Sequence, residues 1–259
     1  MELNDVSAII TGASRGLGLA FTRAILLGGG RVFMTDIDLA QLEKEGPTLQ
    51  REFLGRVQWQ KQDVTDVASF DAAFDGAARA FPAHPTNVLV NNAGIVASDD
   101  FYATTSNSTS WTKVIAINTT AVLRGTQVAL RRLSSTSRSQ AVVVNIASMA
   151  GLWPMAETPD YSASKAAVVA FTKAVGAISK KTNVRVTALC PGFADTRIGQ
   201  TALANAPAVV NHIGGLLTPT AVADGLVQSL ADANNSGDVL VVSNRGLKYH
   251  FRKQQVAKL

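Results

Sequence analysis

The stretch "VSAIITGASRGLGLAFTRAILL", residues 6–27, decides how the chain folds. Its opening residues form a short β-rich run, Gly12, Gly16 and Gly18 then crowd a turn, and from 17 onward apolar residues recur at helical spacing. A strand, a tight glycine turn and an amphipathic helix in that order begin a βαβ unit. The same alternation runs through the rest of the chain. Strand-like runs lie at 6–10, 31–35, 57–60, 88–91, 141–146, 184–190 and 238–243. Helical patterns lie between them, at about 17–27, 39–50, 67–80, 109–133, 161–180 and 220–232. This calls for a doubly wound α/β fold, a seven-stranded parallel sheet with right-handed crossovers placing helices on both faces. No internal repeat or linker marks a second domain, so residues 1–259 read as one unit.

Composition narrows the function. With 259 residues, 47% hydrophobic and 17% charged, the chain can bury a single core and is not disordered. The net charge of +5 is scattered, with no aromatic-interleaved basic stripe, so no nucleic-acid partner is expected. No apolar run reaches about 18 residues, so no membrane span is expected. The acidic start "MELNDVSAIITG" is not a secretory signal, which makes the glycosylation-type triplets at Asn107 and Asn234 chance matches. Cys190 is the single cysteine and closes the apolar run "VRVTALC", a buried structural thiol. His84, His212 and His250 lack metal-ligand spacing, and no metal is expected. These features suit a cytoplasmic protein. The final Ala257-Lys258-Leu259 is one conservative change from the peroxisomal S-K-L address, an alternative if the host is eukaryotic.

The glycine turn points to a dinucleotide. Glycines let the backbone approach a pyrophosphate, and the following helix aims its positive end at the phosphates. The next strand, "RVFMTD", ends in Asp36, about 20 residues on, where a carboxylate accepts hydrogen bonds from an adenosine ribose. As a helix cap instead, Asp36 competes with Asp38. A carboxylate about 4 Å from a 2′-phosphate costs on the order of 4 kcal/mol at an effective dielectric near 20. Arg15 pulls the other way, but a long exposed cation contributes less. The expected cofactor is therefore NAD rather than NADP.

Further along, "YSASK" at 161–165 sets Tyr161 and Lys165 one turn apart on one helix face. Their helix is apolar on most of its circumference, with Ala166, Ala170 and Ala174 at four-residue spacing, and the preceding helix carries Val114, Ile117, Val122 and Val128. Such helices are buried on more than one side, which leads us to expect a homodimer or homotetramer.

Taken in order, "TGASRGLG" (11–18), "NNAG" (91–94), Asn118, Ser148, "YSASK" and "PG" (191–192) followed by Thr196 resemble the short-chain dehydrogenases/reductases over essentially the whole chain. Within that family the stretches "ASMAGLWPMAETPDYSASKAAVVAFTK", "CPGFADT" and "SGDVLVVSNRGLKYHF" are most similar to the 15-hydroxyprostaglandin dehydrogenase group. The resemblance implies a single-domain Rossmann fold and an NAD-dependent oxidoreductase acting on a secondary alcohol or ketone. It implies Tyr161 as general acid/base, Lys165 lowering the phenol's pKa and holding the nicotinamide ribose, Ser148 orienting the substrate oxygen, and Asn118 holding a water that links the lysine to solvent. Gly12, Ser14, Arg15, Gly16, Leu17 and Gly18 would then cradle the phosphates. Asp36, Ile37, Asp63, Val64 and Asn91 would border the adenosine, and Pro191, Gly192, Phe193 and Thr196 would wrap the nicotinamide. Trp153, Met155 and Phe193 bracket an apolar substrate pocket that Thr158 borders, under an Ala-rich lid at about 193–218. Thr158, preceded by Glu157, stands where the prostaglandin group carries a glutamine, so prostaglandin specificity is not carried over. The rival readings are a non-catalytic NAD-sensing protein, which intact Tyr161 and Lys165 disfavour, and an extended-type sugar-nucleotide epimerase, whose glycines are spaced differently.

Overall fold

The computed structural model describes residues 1–97, 100–103, 109–133, 141–212 and 214–252, which leaves Asn107 and the terminal Ala257-Lys258-Leu259 outside the described residues. Its first half follows the expected alternation: β1 (Ser7–Thr11), α1 (Gly16–Leu27), β2 (Arg31–Asp36), α2 (Leu39–Glu52), β3 (Val57–Lys61), α3 (Ser69–Ala80) and β4 (Val88–Asn91). A broken helix follows, α4 (Ser110–Ile115), one wide π turn (Ala116–Thr120) and α5 (Ala121–Leu133), before β5 (Ala141–Ile146). Then come α6 (Pro159–Gly176), the short α7 (Ser179–Thr182), β6 (Val184–Pro191), α8 (Arg197–Asn205), α9 (Pro207–His212), α10 (Pro219–Ala231), β7 (Val239–Ser243) and β8 (Gly246–Phe251).

The sheet order is β3-β2-β1-β4-β5-β6-β7-β8. Strands β1 to β7 are parallel, and β8 returns antiparallel on β7. This corrects the expected seven-stranded sheet to eight. The physical reason is the two-residue link Asn244-Arg245, with Ser243 paired to Gly246, which permits only an antiparallel return.

Parallel strands buried on both faces send neighbouring side chains to opposite cores. Ile10, Val32, Met34, Val88, Val90, Val142 and Val144 pack with Phe21 and Ile25 of α1 and Leu226 and Leu230 of α10. Ile9, Phe33, Leu89 and Val143 pack on the other face with Phe70 and Phe74 of α3 and Val128 of α5. The second face continues through Ala188, Cys190, Val239 and Val241 against Val122, Val168 and Val169. Strand order reverses between β1 and β4, so a crevice opens beyond their carboxyl ends, where doubly wound sheets take ligands. Among the described residues no helix is long and apolar enough to cross a membrane.

Candidate active site

At the carboxyl end of β1 the chain turns through Gly12 (φ +64°) and Gly16 (φ +54°), a region that favours glycine. A Cβ on Gly12 would lie 2.9 Å from Ala93 Cα, and one on Gly18 would lie 2.1 Å from Gly12 O. These contacts set α1 hard against the turn, and a Cβ on Gly16 would meet Thr196 Cγ2 at 3.2 Å, so the segment after β6 closes the far side. The fully buried Ser14 Oγ has no hydrogen-bond partner among the described residues. A glycine cradle, an orphan hydroxyl and the unpaired N–H groups at the start of α1 fit a dinucleotide diphosphate. Arg15 occupies the cap position of α1 and is ion-paired with Asp38, while Leu17 is partly buried against the core.

Asp36 ends β2 beside this turn. Its Oδ2 accepts the Ser14 N–H at 3.0 Å and its Oδ1 the Asp38 N–H at 3.0 Å. Each oxygen keeps a lone pair, so two ribose hydroxyls find acceptors there. Asp38, not Asp36, caps α2, with Oδ1 accepting the Gln41 N–H at 3.0 Å. Ile37 is 60% exposed, an apolar surface next to the Asp36 carboxylate. Asp63 is held in its own turn by the Thr65 hydroxyl (2.7 Å) and N–H (2.9 Å), which lower its pKa. Val64 is buried and packs around one shallow depression with Thr11, Asn91, Ala93 and Ile117.

Asn91 departs from expectation. It is 2% exposed, and its Nδ2 donates to Asn145 Oδ1 (2.8 Å), its cross-strand partner, and to Thr126 Oγ1 (3.3 Å). The side chain that reaches the glycine turn is Asn92, whose Nδ2 donates to Thr11 O (2.9 Å) and Gly12 O (3.0 Å). Period-two alternation explains the exchange, since consecutive strand residues face opposite ways. Read with that register, "NNAG" would have singled out the second asparagine.

Ser148 follows β5 by two residues and caps a 3₁₀ turn, its Oγ accepting the Ala150 N–H at 3.1 Å. Pro159 starts α6, and Tyr161 stands in its first turn, near enough to Ser148 for that side chain to favour the phenolate. Lys165 is 3% exposed, with Nζ donating to Ile146 O at 2.8 Å and lying 5.7 Å from the Tyr161 ring centre. Sequence reasoning expects the ammonium to hold the phenol down. In the structure burial outweighs that: it pushes Tyr161 up to about 12, against the downward pull of the Ser148 side chain, and Lys165 down to about 8. Each charged form loses hydration in the same enclosure. Burial also raises the Cys190 thiol to about 12, in keeping with an inert structural cysteine.

Asn118 sits fully buried in the π turn, a register change that aims its amide across at α6 and the segment after β4. Its Nδ2 donates to Ile95 O (2.8 Å) and Ser164 Oγ (3.1 Å), and its Oδ1 accepts the Ile95 N–H (2.9 Å). Both donors are spent on protein, so one Oδ1 lone pair remains for the water implied by the resemblance. A Cβ on Gly94 would lie 3.3 Å from that oxygen and 3.5 Å from Lys165 Nζ, which places the two side chains around one small space.

At the end of β6 Pro191 is buried, and just beyond it Gly192 N–H donates to Val242 O at 2.8 Å. Leu217 N–H donates to Phe193 O (2.7 Å) and Asp195 N–H to Leu217 O (2.8 Å), which pin the base of the segment carrying α8 and α9. Thr196 caps α8, with Oγ1 accepting the Gly199 N–H at 3.3 Å. Thr158 precedes α6 without a side-chain cap bond, and Trp153, 51% exposed, meets the His250 ring of β8 edge-on at 5.2 Å.

The chain belongs to the short-chain dehydrogenase family, whose model matches residues 7–206. The rat 15-hydroxyprostaglandin dehydrogenase [NAD(+)] is 30% identical over 268 residues, covering 97% of this chain and 96% of its own. A short-chain dehydrogenase/reductase from Burkholderia phymatum in complex with NAD superposes with a TM-score of 0.81 at 26% identity, over 93% of this chain and 90% of that one. A single-substitution variant of actinorhodin polyketide ketoreductase with NADPH gives 0.82 at 26%, over 94% and 98%. The protein is thus an oxidoreductase of this family, and related folds carry either dinucleotide.

Proposed function

We propose that the protein is an NAD(H)-dependent oxidoreductase interconverting a hydrophobic secondary alcohol and its ketone, with Tyr161 as the general acid/base. The observation that carries this reading is Lys165 Nζ 5.7 Å from the Tyr161 ring centre, with Ser148 near enough to the phenol to lower its pKa, at the sheet edge that also bears the glycine cradle. In reduction the phenol gives its proton to the carbonyl oxygen, and in oxidation the phenolate takes the proton of the alcohol. Ser148 donates to the same oxygen and stabilises charge developing on it. A free phenol at pH 7 is ionised to about one part in a thousand, a cost of roughly 4 kcal/mol that burial of Tyr161 increases and that the positive charges of Lys165 and oxidised nicotinamide would offset. When bound, nicotinamide supplies or accepts the hydride. Gly12, Ser14, Gly16 and Gly18 would hold its diphosphate, Asp36 the adenosine ribose, Lys165 the nicotinamide ribose, and Gly192, Phe193 and Thr196 would close over it.

The preference for NAD rests on Asp36, and the rat relative carries NAD(+) in its name. Met155, Phe193 and Thr158 would wall the substrate, with α8 and α9 as a lid over it. The test mixes purified protein with NAD and a panel of secondary alcohols and follows absorbance of the reduced nicotinamide. Turnover is expected for apolar members, and Tyr161→Phe should lower kcat about a thousandfold while NADH still binds. Tight NAD binding with no turnover on any alcohol would replace this reading with the NAD sensor.

A further inference from the structure

Asp38 divides its two oxygens between different tasks. Oδ1 accepts the Gln41 N–H and caps α2, whereas Oδ2 forms the ion pair with Arg15. Arg15 is the one cation that the turn "GASRG" itself carries, and it stands at the cap position of α1, where a dinucleotide's phosphates would arrive. Asp36 lies between the two, bound to the N–H groups of both Ser14 and Asp38. The ribose carboxylate, the turn and the α2 cap are therefore one hydrogen-bonded unit.

We propose that Asp38 is a specificity-determining residue that acts through Arg15: it neutralises and positions the guanidinium so that a 2′-phosphate meets two carboxylates and no unpaired cation from the turn. This rests on the dinucleotide reading above and deepens it. Asp36 alone favours NAD against the pull of one cation, because Arg15 is long enough to turn to a phosphate. With Asp38 opposite, that pull is weakened before the cofactor arrives. Arginine and phosphate form a strong bidentate pair, so releasing Arg15 creates a phosphate site where there was none.

Asp38→Asn suits the test because asparagine caps helices as well as aspartate while losing the charge, and Asp38→Ser provides a second cap-preserving variant. Dissociation constants of NADH and NADPH are measured on the purified protein by nucleotide fluorescence, independently of turnover. The NADPH-to-NADH ratio of dissociation constants should fall about tenfold in both variants, by loss of one repulsion and release of one cation. Adding Arg15→Ala to Asp38→Asn should abolish most of that gain. An unchanged ratio in both Asp38 variants, or a gain that survives removal of Arg15 undiminished, overturns the proposal. Failure of the unaltered protein to bind either nucleotide overturns the dinucleotide reading itself, and this proposal with it.

Discussion

Tyr161 and Lys165 share one enclosure and lose hydration together, and the consequences are measurable. With Lys165 near 8 and Tyr161 near 12, the first proton leaves the pair near pH 8 and belongs to both groups. The tautomer with phenolate and ammonium is the one that can take a proton from an alcohol. For oxidation, kcat/KM should therefore rise about tenfold per pH unit up to about 8 and level off, whereas reduction should be flat below 8 and fall above. Profiles in both directions check this, and an oxidation rate that does not respond to pH between 6 and 8 contradicts it. The lysine also costs stability. Its folded pKa lies below the unfolded value of 10.5, so between about 8 and 10.5 the unfolded chain binds more protons and stability rises with pH. Below 8 the full cost of a desolvated ammonium is present. Lys165→Met should accordingly be more stable than the parent at pH 7, by on the order of 2 kcal/mol in denaturant melts, yet inactive.

At the scale of elements, the turn joining β1 to α1 depends on contact that no side chain can share. Gly18→Ala would press its Cβ to 2.1 Å from Gly12 O and 2.8 Å from Ala13 Cα, both backbone atoms that cannot swing aside. Separating α1 from β1 should cost roughly 1–3 kcal/mol and weaken NADH binding more than about tenfold. Thermal melts and nucleotide titration check the two parts, and unimpaired binding would mean that this turn holds no diphosphate. The turn was legible in the sequence because its demands are local: a few φ values and one close approach, met by glycines at fixed spacing. Where register decides, the sequence was harder to read. Asn91 and Asn92 are the same residue type, and only their opposite orientations separate the buried cross-strand pair from the side chain that reaches the glycine turn. Asn118 was legible as a residue but not as a π turn, because the extra backbone residue leaves the helical pattern of "VIAINTTAV" nearly unchanged. The eighth strand does carry a period-two signal, Leu247 and Tyr249 packed inward and alternating with exposed Lys248 and His250, but it is short and half polar.

For the whole molecule, that eighth strand decides which surface can meet a second copy. It covers the edge of β7 and is fastened by Tyr249 Oη donating to Asp232 Oδ2 at 2.7 Å and Arg252 paired with the same oxygen, with exposed Lys248 and His250 along it. A charged, short edge resists continuing the sheet into a neighbour. The helical face is different. Val114, Val122 and Val128, expected at an interface, are buried within the chain, and Ile117 is partly buried. Outward instead stand Ala163, Ala167, Ala170 and Ala174 of α6, with Leu123 of α5 and Trp111 of α4. Small side chains at this spacing let two helices approach closely and bury apolar area without side-chain entropy to lose. The protein should therefore sediment as a dimer or tetramer, and Ala170→Glu, which keeps a good helix former on an exposed position, should shift it to a single chain with unchanged far-UV circular dichroism. A wild-type mass of one chain, or a variant that associates as before, removes α6 from any interface and leaves its alanines as solvated surface.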